Sequence, residues 1–270
     1  MSEQPRAVYT HGHHESVLRG HRRRTAHDSA AYLLPSLRPG LSVLDIGCGP
    51  GTITTDLAAL VAPGSVTAVE ITDAALNLAR SEAHRRNQTN ISFVVADVHA
   101  LDLPDDAFDV VHAHQVLQHV ADPVRALQEM RRVCVPGGVV AVRDADYAGF
   151  LWYPQLAPLD RWLELYVQAA RANGGEPDAG RRLLSWAAQA GFVDITPTAS
   201  MWCYATVEDR DWWGGMWADR ILHSDLAHQL VDTGLANRPE LEEISSAWRQ
   251  WAAATDGWFG IPNGEILCRA

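Results

Sequence analysis

A glycine-rich turn at the end of an apolar run constrains the fold of this chain more than any other feature. Residues 43–51 have the sequence Val-Leu-Asp-Ile-Gly-Cys-Gly-Pro-Gly. The apolar run predicts a buried strand, the alternating glycines predict a tight turn without side chains, and Thr52 begins a predicted helix. Because α/β sheets bind ligands at the carboxyl ends of their strands, this turn is a candidate cofactor site.

The spacing of these glycines argues against the common dinucleotide fingerprint. That fingerprint, Gly-x-Gly-x-x-Gly, needs glycine at position 52, where this chain has Thr52. The turn therefore suits a nucleoside cofactor of another kind. Two functions remain open as alternatives for a chain with this turn. One is a Rossmann oxidoreductase with a nicotinamide cofactor, and the other is a non-catalytic scaffold that binds a cofactor.

The acid-x-Gly-x-Gly-x-Gly turn resembles the first motif of the class I S-adenosylmethionine-dependent methyltransferases. Further predicted strands follow in that family's order at 65–71, 91–96, 108–114 and 137–142. The resemblance covers residues 40–145 and is closest to the small-molecule branch that includes the quinone-biosynthesis C-methyltransferases. It implies an α/β, Rossmann-like sheet, mostly parallel with an antiparallel last strand, and helices on both faces. It also implies S-adenosylmethionine as cofactor and S-adenosylhomocysteine as product.

The resemblance also implies which residues hold the cofactor. Glu70 ends the second strand and is assigned to the ribose hydroxyls, because a carboxylate accepts two hydrogen bonds. Asp97 is assigned to the adenine amino group and Val98 to the face of the ring, and we expect Arg24 to reach the cofactor carboxylate. The complete predicted set is Asp45, Gly47, Cys48, Gly49, Glu70, Ile71, Asp97, Val98, His114, Gln115 and Arg24.

Charge and cysteine content limit the expected partners and compartment. A net charge of -11 and a pI near 5.5 oppose binding to nucleic acid or to anionic membranes. The cluster of Arg19, Arg22, Arg23 and Arg24 is interpreted as a solvated amphipathic face. Four scattered cysteines indicate neither zinc nor disulfides, and no secretory start or long apolar run is present. We expect a soluble, cytoplasmic protein that binds a small molecule, with a homodimer left open.

The chain divides into four predicted parts. They are a helical amino-terminal cap at 1–40, the cofactor core at 41–146, a substrate-side helical lid with a late core strand at 147–262, and the final strand at 263–270. Chemistry is expected between the core and the lid. The late strands are predicted at 192–198, continuing as far as 204 in the longer alternative, and at 264–269, paired antiparallel at the sheet edge.

Local signals predict three of the helices. In the cap, apolar residues at helical spacing predict a helix that Pro35 ends and that covers the cofactor. This helix carries Ala26, Ala30, Leu33 and Leu34, and Tyr9, His11, His13 and His14 precede it. In the core, Asp73 is the predicted N-cap of one sheet-flanking helix, and Asp122 followed by Pro123 begins another.

Aromatic residues dominate the predicted lid, because all ten tryptophans lie after residue 150. Rings can exclude water and hold a planar acceptor near the positive sulfonium, although they can equally form the core of the lid. The acceptor-binding residues that we favour are Tyr147, Trp152, Tyr153, Trp212 and Trp213, with Trp202, Tyr204 and Trp217 as further candidates. The pattern favours a small aromatic or polycyclic metabolite of secondary metabolism, methylated on carbon or oxygen, such as an indole or quinol carbon.

A base is needed if the methyl acceptor is a hydroxyl or an unactivated carbon. Asp144 and Asp146 follow the fifth strand, and alternation places both on one side of the chain, where one can face the cavity. Either aspartate can instead form an ion pair or cap a helix. His119 is the third catalytic candidate, whereas His114 is assigned to cofactor binding. With His112 these histidines lack the accompanying acids of a metal site, so no metal is predicted.

Overall fold

The computed structural model describes residues 23–270, and eight β-strands in this range form one sheet. The strands are β1 (Ser42–Ile46), β2 (Ser65–Glu70), β3 (Ile91–Val95), β4 (Phe108–His114), β5 (Cys134–Ala145), β6 (Leu151–Tyr153), β7 (Ile195–Tyr204) and β8 (Trp258–Arg269). Their order is β3-β2-β1-β4-β5-β8, and β8 also pairs with β6 and β7. Strands β1 to β5 run parallel, whereas β8 is antiparallel to each of its neighbours. The predicted fold class, a mostly parallel sheet with an antiparallel last strand, is confirmed.

Helices cover both faces of the parallel part of the sheet. The helices of the described chain are α1 (Ala26–Ser29), α2 (Thr52–Val61), α3 (Asp73–Arg85), α4 (Pro123–Val133), α5 (Ala157–Ala172), α6 (Leu183–Gln189), α7 (Val207–His223), α8 (Asp225–Asp232) and α9 (Arg238–Ala253). Val43 and Leu44 are neighbours on β1 and therefore point to opposite faces. Val43 lies in one buried cluster with Leu57 of α2, and Leu44 lies in another with Leu127 of α4.

The starts of the two core helices agree with the sequence in part. Asp122 caps α4 as predicted, because its side chain accepts a hydrogen bond from the backbone N–H of Arg125. The cap predicted for α3 is wrong: the Thr72 hydroxyl accepts from the backbone N–H of Ala75, and Asp73 is the first helical residue. An acid in the first turn still interacts favourably with the helix dipole.

The predicted cap helix is shorter than its apolar spacing suggests. Helix α1 ends after four residues, and Pro35 lies inside a separate 3₁₀ turn at 34–36. Thr25 and Asp28 form a capping box that fixes the start of α1. Proline has no N–H to donate and disfavours helical backbone in the residue before it, so the α-helix does not continue to Pro35. Arg19, Arg22, Tyr9, His11, His13 and His14 lie outside the described residues.

The late strands cross the predicted boundary between lid and final strand. Strand β7 begins at Ile195 rather than at 192 and continues to Tyr204, the longer of the two expected extents. Strand β8 begins at Trp258, within the predicted lid, and β6 was not predicted. Trp258 and Phe259 pair with β6, so the sheet extends under the lid helices.

The helical lid has a core built largely of rings. Trp162, Trp217, Trp248 and Trp251 are almost completely buried together with Phe259 of β8. Burial of side chains of this size contributes a large share of the apolar stabilisation of the lid.

Within residues 23–270, no helix combines the length and the apolar character needed to cross a bilayer.

Candidate active site

A cavity of about 940 Å³ lies at the carboxyl ends of the parallel strands. The glycine turn after β1 and the ends of β2 and β4 line one part of it, and rings from β7 and α7 line another. All eleven residues predicted to hold the cofactor lie on the wall of this cavity. The structure therefore brings together residues from five separate stretches of the chain.

The glycine turn is shaped for close approach to backbone. Gly47 and Gly51 have φ angles of 67° and 82°, and a Cβ on either would lie 2.5 Å from Val116 Cγ2 or 2.8 Å from Ala79 Cα. Gly49 has a φ of 53°, and a Cβ there would meet no atom within 4 Å. The outer two glycines are thus needed for packing, while Gly49 leaves open space in the cavity wall.

Two acids lie beside this turn, and each is fixed by hydrogen bonds. Glu70 accepts hydrogen bonds from the backbone N–H of Gly49 at 2.9 Å and of Ile71 at 3.1 Å. Asp45 is buried, lies 2.8 Å from Nδ1 of His112, and accepts a 2.6 Å hydrogen bond from the hydroxyl of Thr54. Each carboxylate oxygen has lone pairs for more than one donor, so Glu70 keeps acceptor capacity for ligand hydroxyls.

Asp97 is paired with a histidine that sequence reasoning missed. Its Oδ1 accepts from the backbone N–H of His99 at 2.9 Å and lies 2.6 Å from His99 Nδ1. The Nε2 of the same ring accepts from the backbone N–H of Asp122 at 3.3 Å. His99 lies on the cavity wall beside Val98. The signal was the two-residue spacing, since an aspartate commonly accepts from the backbone two residues later.

Trp202 is fixed at the junction of the cap, the sheet and the cavity. Its indole N–H donates to the backbone carbonyl of Asp28 at 3.0 Å. The guanidinium carbons of Arg143 and Arg24 lie 4.3 and 5.2 Å from the ring centroid, and the ring of His114 meets it edge-on at 5.5 Å. Cation–π contacts of this kind favour a fixed ring orientation. Arg24 and His114 are thus both held at the wall by the same tryptophan.

An aromatic region forms the remaining wall. Tyr147 stacks on Phe150 with centroids 4.4 Å apart, and Tyr204 stacks on Trp213 with centroids 4.6 Å apart. Trp212, which is partly buried, also lines this wall. The wall residues that the favoured substrate set left out are Phe150, Trp202, Tyr204, Met216, Trp217, Arg220 and Ile261.

The structure does not place Trp152 and Tyr153 on the cavity wall, so two favoured substrate contacts are corrected. Trp152 points into the lid core and stacks on Phe259, with centroids 5.7 Å apart. Tyr153 points the other way and is 55% exposed. The reason is strand alternation in β6, which sends one ring inward and the next outward, both away from the cavity.

The two predicted catalytic carboxylates also lie away from the cavity wall. Asp144 is fully buried and accepts hydrogen bonds from the backbone N–H groups of Leu117 and Gln118 at 3.3 and 3.2 Å. Burial raises its pKa to about 7. Asp146 forms a two-point ion pair with Arg181. The expectation that one of them faces the cavity is corrected, because both carboxylates are turned toward protein partners.

His119, the third catalytic candidate, does lie on the wall. Burial lowers the pKa of its imidazole to about 3, and the positive charge of Arg24 acts in the same direction. The ring is therefore neutral near pH 7.

Among residues 23–270 no group of three or more His, Cys, Asp or Glu side chains is arranged to hold a metal ion.

Comparison with known proteins identifies similar chains. A family model described as a methyltransferase domain matches residues 37–186. A protein of Schizosaccharomyces pombe named as an uncharacterized methyltransferase is 35% identical, over 96% of this chain and 95% of its own length. The ubiquinone/menaquinone biosynthesis C-methyltransferase UbiE of Shewanella oneidensis is 37% identical over 39% of this chain and 43% of its own.

The solved structures share the architecture at low sequence identity. The YcgJ protein of Bacillus subtilis superposes with a TM-score of 0.57 and 19% identity, over 90% of this chain and 98% of that one. A match at this identity reports on the fold alone. It agrees with a Rossmann-like sheet flanked by helices.

Proposed function

Because this chain belongs to the methyltransferase domain family, we propose that it transfers a methyl group from S-adenosylmethionine to a small aromatic or polycyclic acceptor. Membership confirms the methyltransferase class and S-adenosylmethionine as methyl donor, as the sequence predicted. The acceptor class, methylation on carbon or oxygen, and a place in secondary metabolism are the proposed parts.

The residues present fit the adenosyl cofactor. Gly49 leaves open space beside bare backbone, and Glu70 is anchored next to it with acceptor capacity for two ribose hydroxyls. We assign the adenine amino group to Asp97 and its ring face to Val98, and the cofactor carboxylate to Arg24. When bound, the cofactor supplies a methyl group on a positively charged sulfur, which is a good leaving group.

The single observation that carries the acceptor class is the continuity of one cavity. The same space that borders the glycine turn is bordered by Tyr147, Trp212 and Trp213. Stacked rings present apolar faces to a planar molecule and exclude water. Methyl transfer requires the nucleophile about 3 to 3.5 Å from the methyl group and in line with it, so a wall that fixes the plane of the acceptor directly serves the reaction.

The positions and the basicity of the three predicted base candidates favour a carbon nucleophile. Asp144 and Asp146 lie elsewhere, and a His119 pKa of about 3 makes that ring a poor base near neutral pH. An electron-rich carbon, such as that of an indole or a quinol, needs positioning more than prior loss of a proton. Transfer to an unactivated hydroxyl has less support from this cavity.

The proposal is tested by transfer from methyl-labelled S-adenosylmethionine to a panel of indoles, quinols, phenols and aliphatic amines. We expect label in products of the aromatic acceptors, with the transferred methyl on carbon or oxygen by mass spectrometry. Label that appears only in the aliphatic amines would overturn the acceptor class. Reduction of NAD⁺ coupled to oxidation of the quinols or the amines of the same panel, without methyl transfer, would support the oxidoreductase alternative.

A further inference from the structure

Three carboxamides and a histidine form a continuous chain of hydrogen bonds at the cavity. The Asn263 Nδ2 group donates to the backbone carbonyl of Ile261 at 2.9 Å. The Gln115 Nε2 group donates to Asn263 Oδ1 at 2.9 Å, and the Gln118 Nε2 group donates to Gln115 Oε1 at 2.6 Å. The same Gln118 nitrogen lies 3.2 Å from His119 Nε2. Gln115, Gln118 and His119 all line the cavity.

We call the hydrogen-bonded series Asn263, Gln115, Gln118 and His119 the relay. Which group donates at each step of the relay is decided at its Asn263 end. A backbone carbonyl only accepts, so Asn263 must present its N–H to Ile261 and its oxygen to Gln115. Gln115 must then present its oxygen to Gln118, whose remaining N–H points to His119. Reversing any carboxamide would place two oxygens or two N–H groups against each other. His119 Nε2 therefore accepts a hydrogen bond, and the proton of a neutral ring lies on Nδ1.

We propose that Gln115 and Gln118 are positioning residues that hold His119 as its neutral Nδ1–H tautomer. Any hydrogen bond between His119 and a bound ligand is then one in which His119 donates. The group that it recognises is an acceptor atom, such as a carbonyl or phenolate oxygen, and not the O–H or N–H of a nucleophile that must lose a proton. The ligand part of this inference rests on the proposed function, whereas the tautomer does not.

The surroundings of the relay agree with this role. Gln115 has a φ of 58°, an uncommon backbone conformation for a residue other than glycine, and its N–H donates to the carbonyl of Arg143 at 2.8 Å. Asp144 accepts from the backbone N–H of Gln118 and fixes the turn that carries His119. Strained backbone that the neighbouring structure holds in place is characteristic of functional sites.

Burial and a nearby positive charge also oppose protonation of the His119 ring. The positive charge of Arg24 and the burial of the imidazole both lower the pKa of His119. Asp144, which accepts hydrogen bonds from this turn, has its own pKa raised by burial. The Gln118 Oε1 atom is buried without a donor among residues 23–270, so the relay, and not satisfaction of this oxygen, sets the orientation of Gln118.

The test is ¹⁵N NMR of histidine-labelled protein without cofactor or acceptor, in which His119→Phe assigns the His119 signals. We expect the pattern of a neutral Nδ1–H ring that does not titrate between pH 5 and 8. Gln118→Glu replaces the donor with a carboxylate, so the proton should move to Nε2 and the pKa should rise into that range. Gln189→Glu, at an exposed glutamine of α6, is the matched control and should leave the pattern unchanged.

A wild-type ring protonated on Nε2, or one that titrates near its ordinary pKa of 6.5, would overturn the proposal. Gln115→Leu gives a second test if Gln118→Glu does not fold, and it should also loosen the tautomer preference. The NMR measurement involves no turnover, so it tests the tautomer independently of methyl transfer. Either proposal can be overturned while the other is supported. In turnover, His119→Phe should lower kcat/KM about tenfold for acceptors with a carbonyl or phenolate oxygen, and less for analogues that lack it.

Discussion

Glu70 Oε1 accepts a hydrogen bond from the backbone N–H of Gly49 at 2.9 Å, which joins the end of β2 to the middle of the glycine turn. The two residues are 21 positions apart in the chain. This bond aligns a carboxylate with a stretch of bare backbone, so one ligand can contact both. The proposed cofactor assignment depends on this relationship.

Glu70→Ala should weaken binding of S-adenosylhomocysteine. The substitution removes the ribose acceptors and also the acceptor of the Gly49 and Ile71 N–H groups. Hydrogen bonds to a charged group contribute about 1.5 to 3 kcal/mol, so we expect the Kd to rise at least about tenfold in calorimetric titration. Glu243→Ala, at an exposed position of α9, is the control and should keep the wild-type Kd. An unchanged Kd for Glu70→Ala would contradict the ribose assignment.

Gly51→Ala should destabilise the fold more than Gly234→Ala does. Both residues have a positive φ, 82° and 71°, which costs roughly 1 to 2 kcal/mol for alanine. Only at Gly51 does the new Cβ also press on backbone, 2.8 Å from Ala79 Cα, whereas Gly234 has open space. Urea unfolding measures the difference in free energy. Equal losses for the two variants would show that α3 moves aside at no cost.

Trp213→Phe and Trp152→Phe separate a ring on the cavity wall from a ring in the lid core. Both tryptophans are buried to nearly the same extent, 8% and 7% exposed, and both are in the lid cluster. We expect similar losses of thermal stability, but only Trp213→Phe should raise the KM for an aromatic acceptor, roughly tenfold. A larger KM effect from Trp152→Phe would reverse the assignment of the acceptor wall.

Asp144→Asn should cost more stability at pH 5 than at pH 8. Burial raises the folded-state pKa of Asp144 from 3.8 to about 7, so its contribution to stability is complete below pH 3.8 and is lost as the pH rises through about 7. The asparagine does not titrate, and one of its two former amide partners loses an acceptor, at about 1 to 3 kcal/mol. The free-energy gap from the wild type, measured by urea unfolding at both pH values, should therefore narrow with rising pH. A gap of the same size at both pH values would mean that the buried carboxyl is ionised throughout and would contradict the raised pKa.

The parallel half of the fold was predictable from sequence, because its strands are largely apolar runs with candidate cofactor-binding residues at or just after their carboxyl ends. The glycine turn, Glu70 and Asp97 occur in the chain in the same order as the three strands that carry them. The antiparallel end was harder, since Gly260 and Pro262 inside β8 are typical of turns. The structure uses Gly260 differently: a Cβ there would lie 2.4 Å from the ring of Trp258, so the missing side chain makes room for that ring.

The acceptor side of the cavity was less predictable, because facing direction depends on tertiary packing. The sequence gives no reason to prefer Trp213 over Trp152 as a substrate contact. Only the tertiary course of β6 and α7 directs Trp152 into the lid core and Trp213 onto the cavity wall. Alternation along a strand carries no information about where the cavity lies, so it gives no indication that Asp144 and Asp146 are both turned toward protein partners. The Gln115 to Asn263 contact joins residues 148 positions apart, so no local pattern indicates the relay.

Calorimetric titration of the purified protein with S-adenosylmethionine, S-adenosylhomocysteine and NADH tests the central claim most directly. The adenosyl ligands should bind through the glycine turn and Glu70, and we expect roughly micromolar Kd values for both, about -8 kcal/mol, with no heat from NADH. Binding of NADH without either adenosyl ligand would contradict the account and assign this cavity to a nicotinamide cofactor.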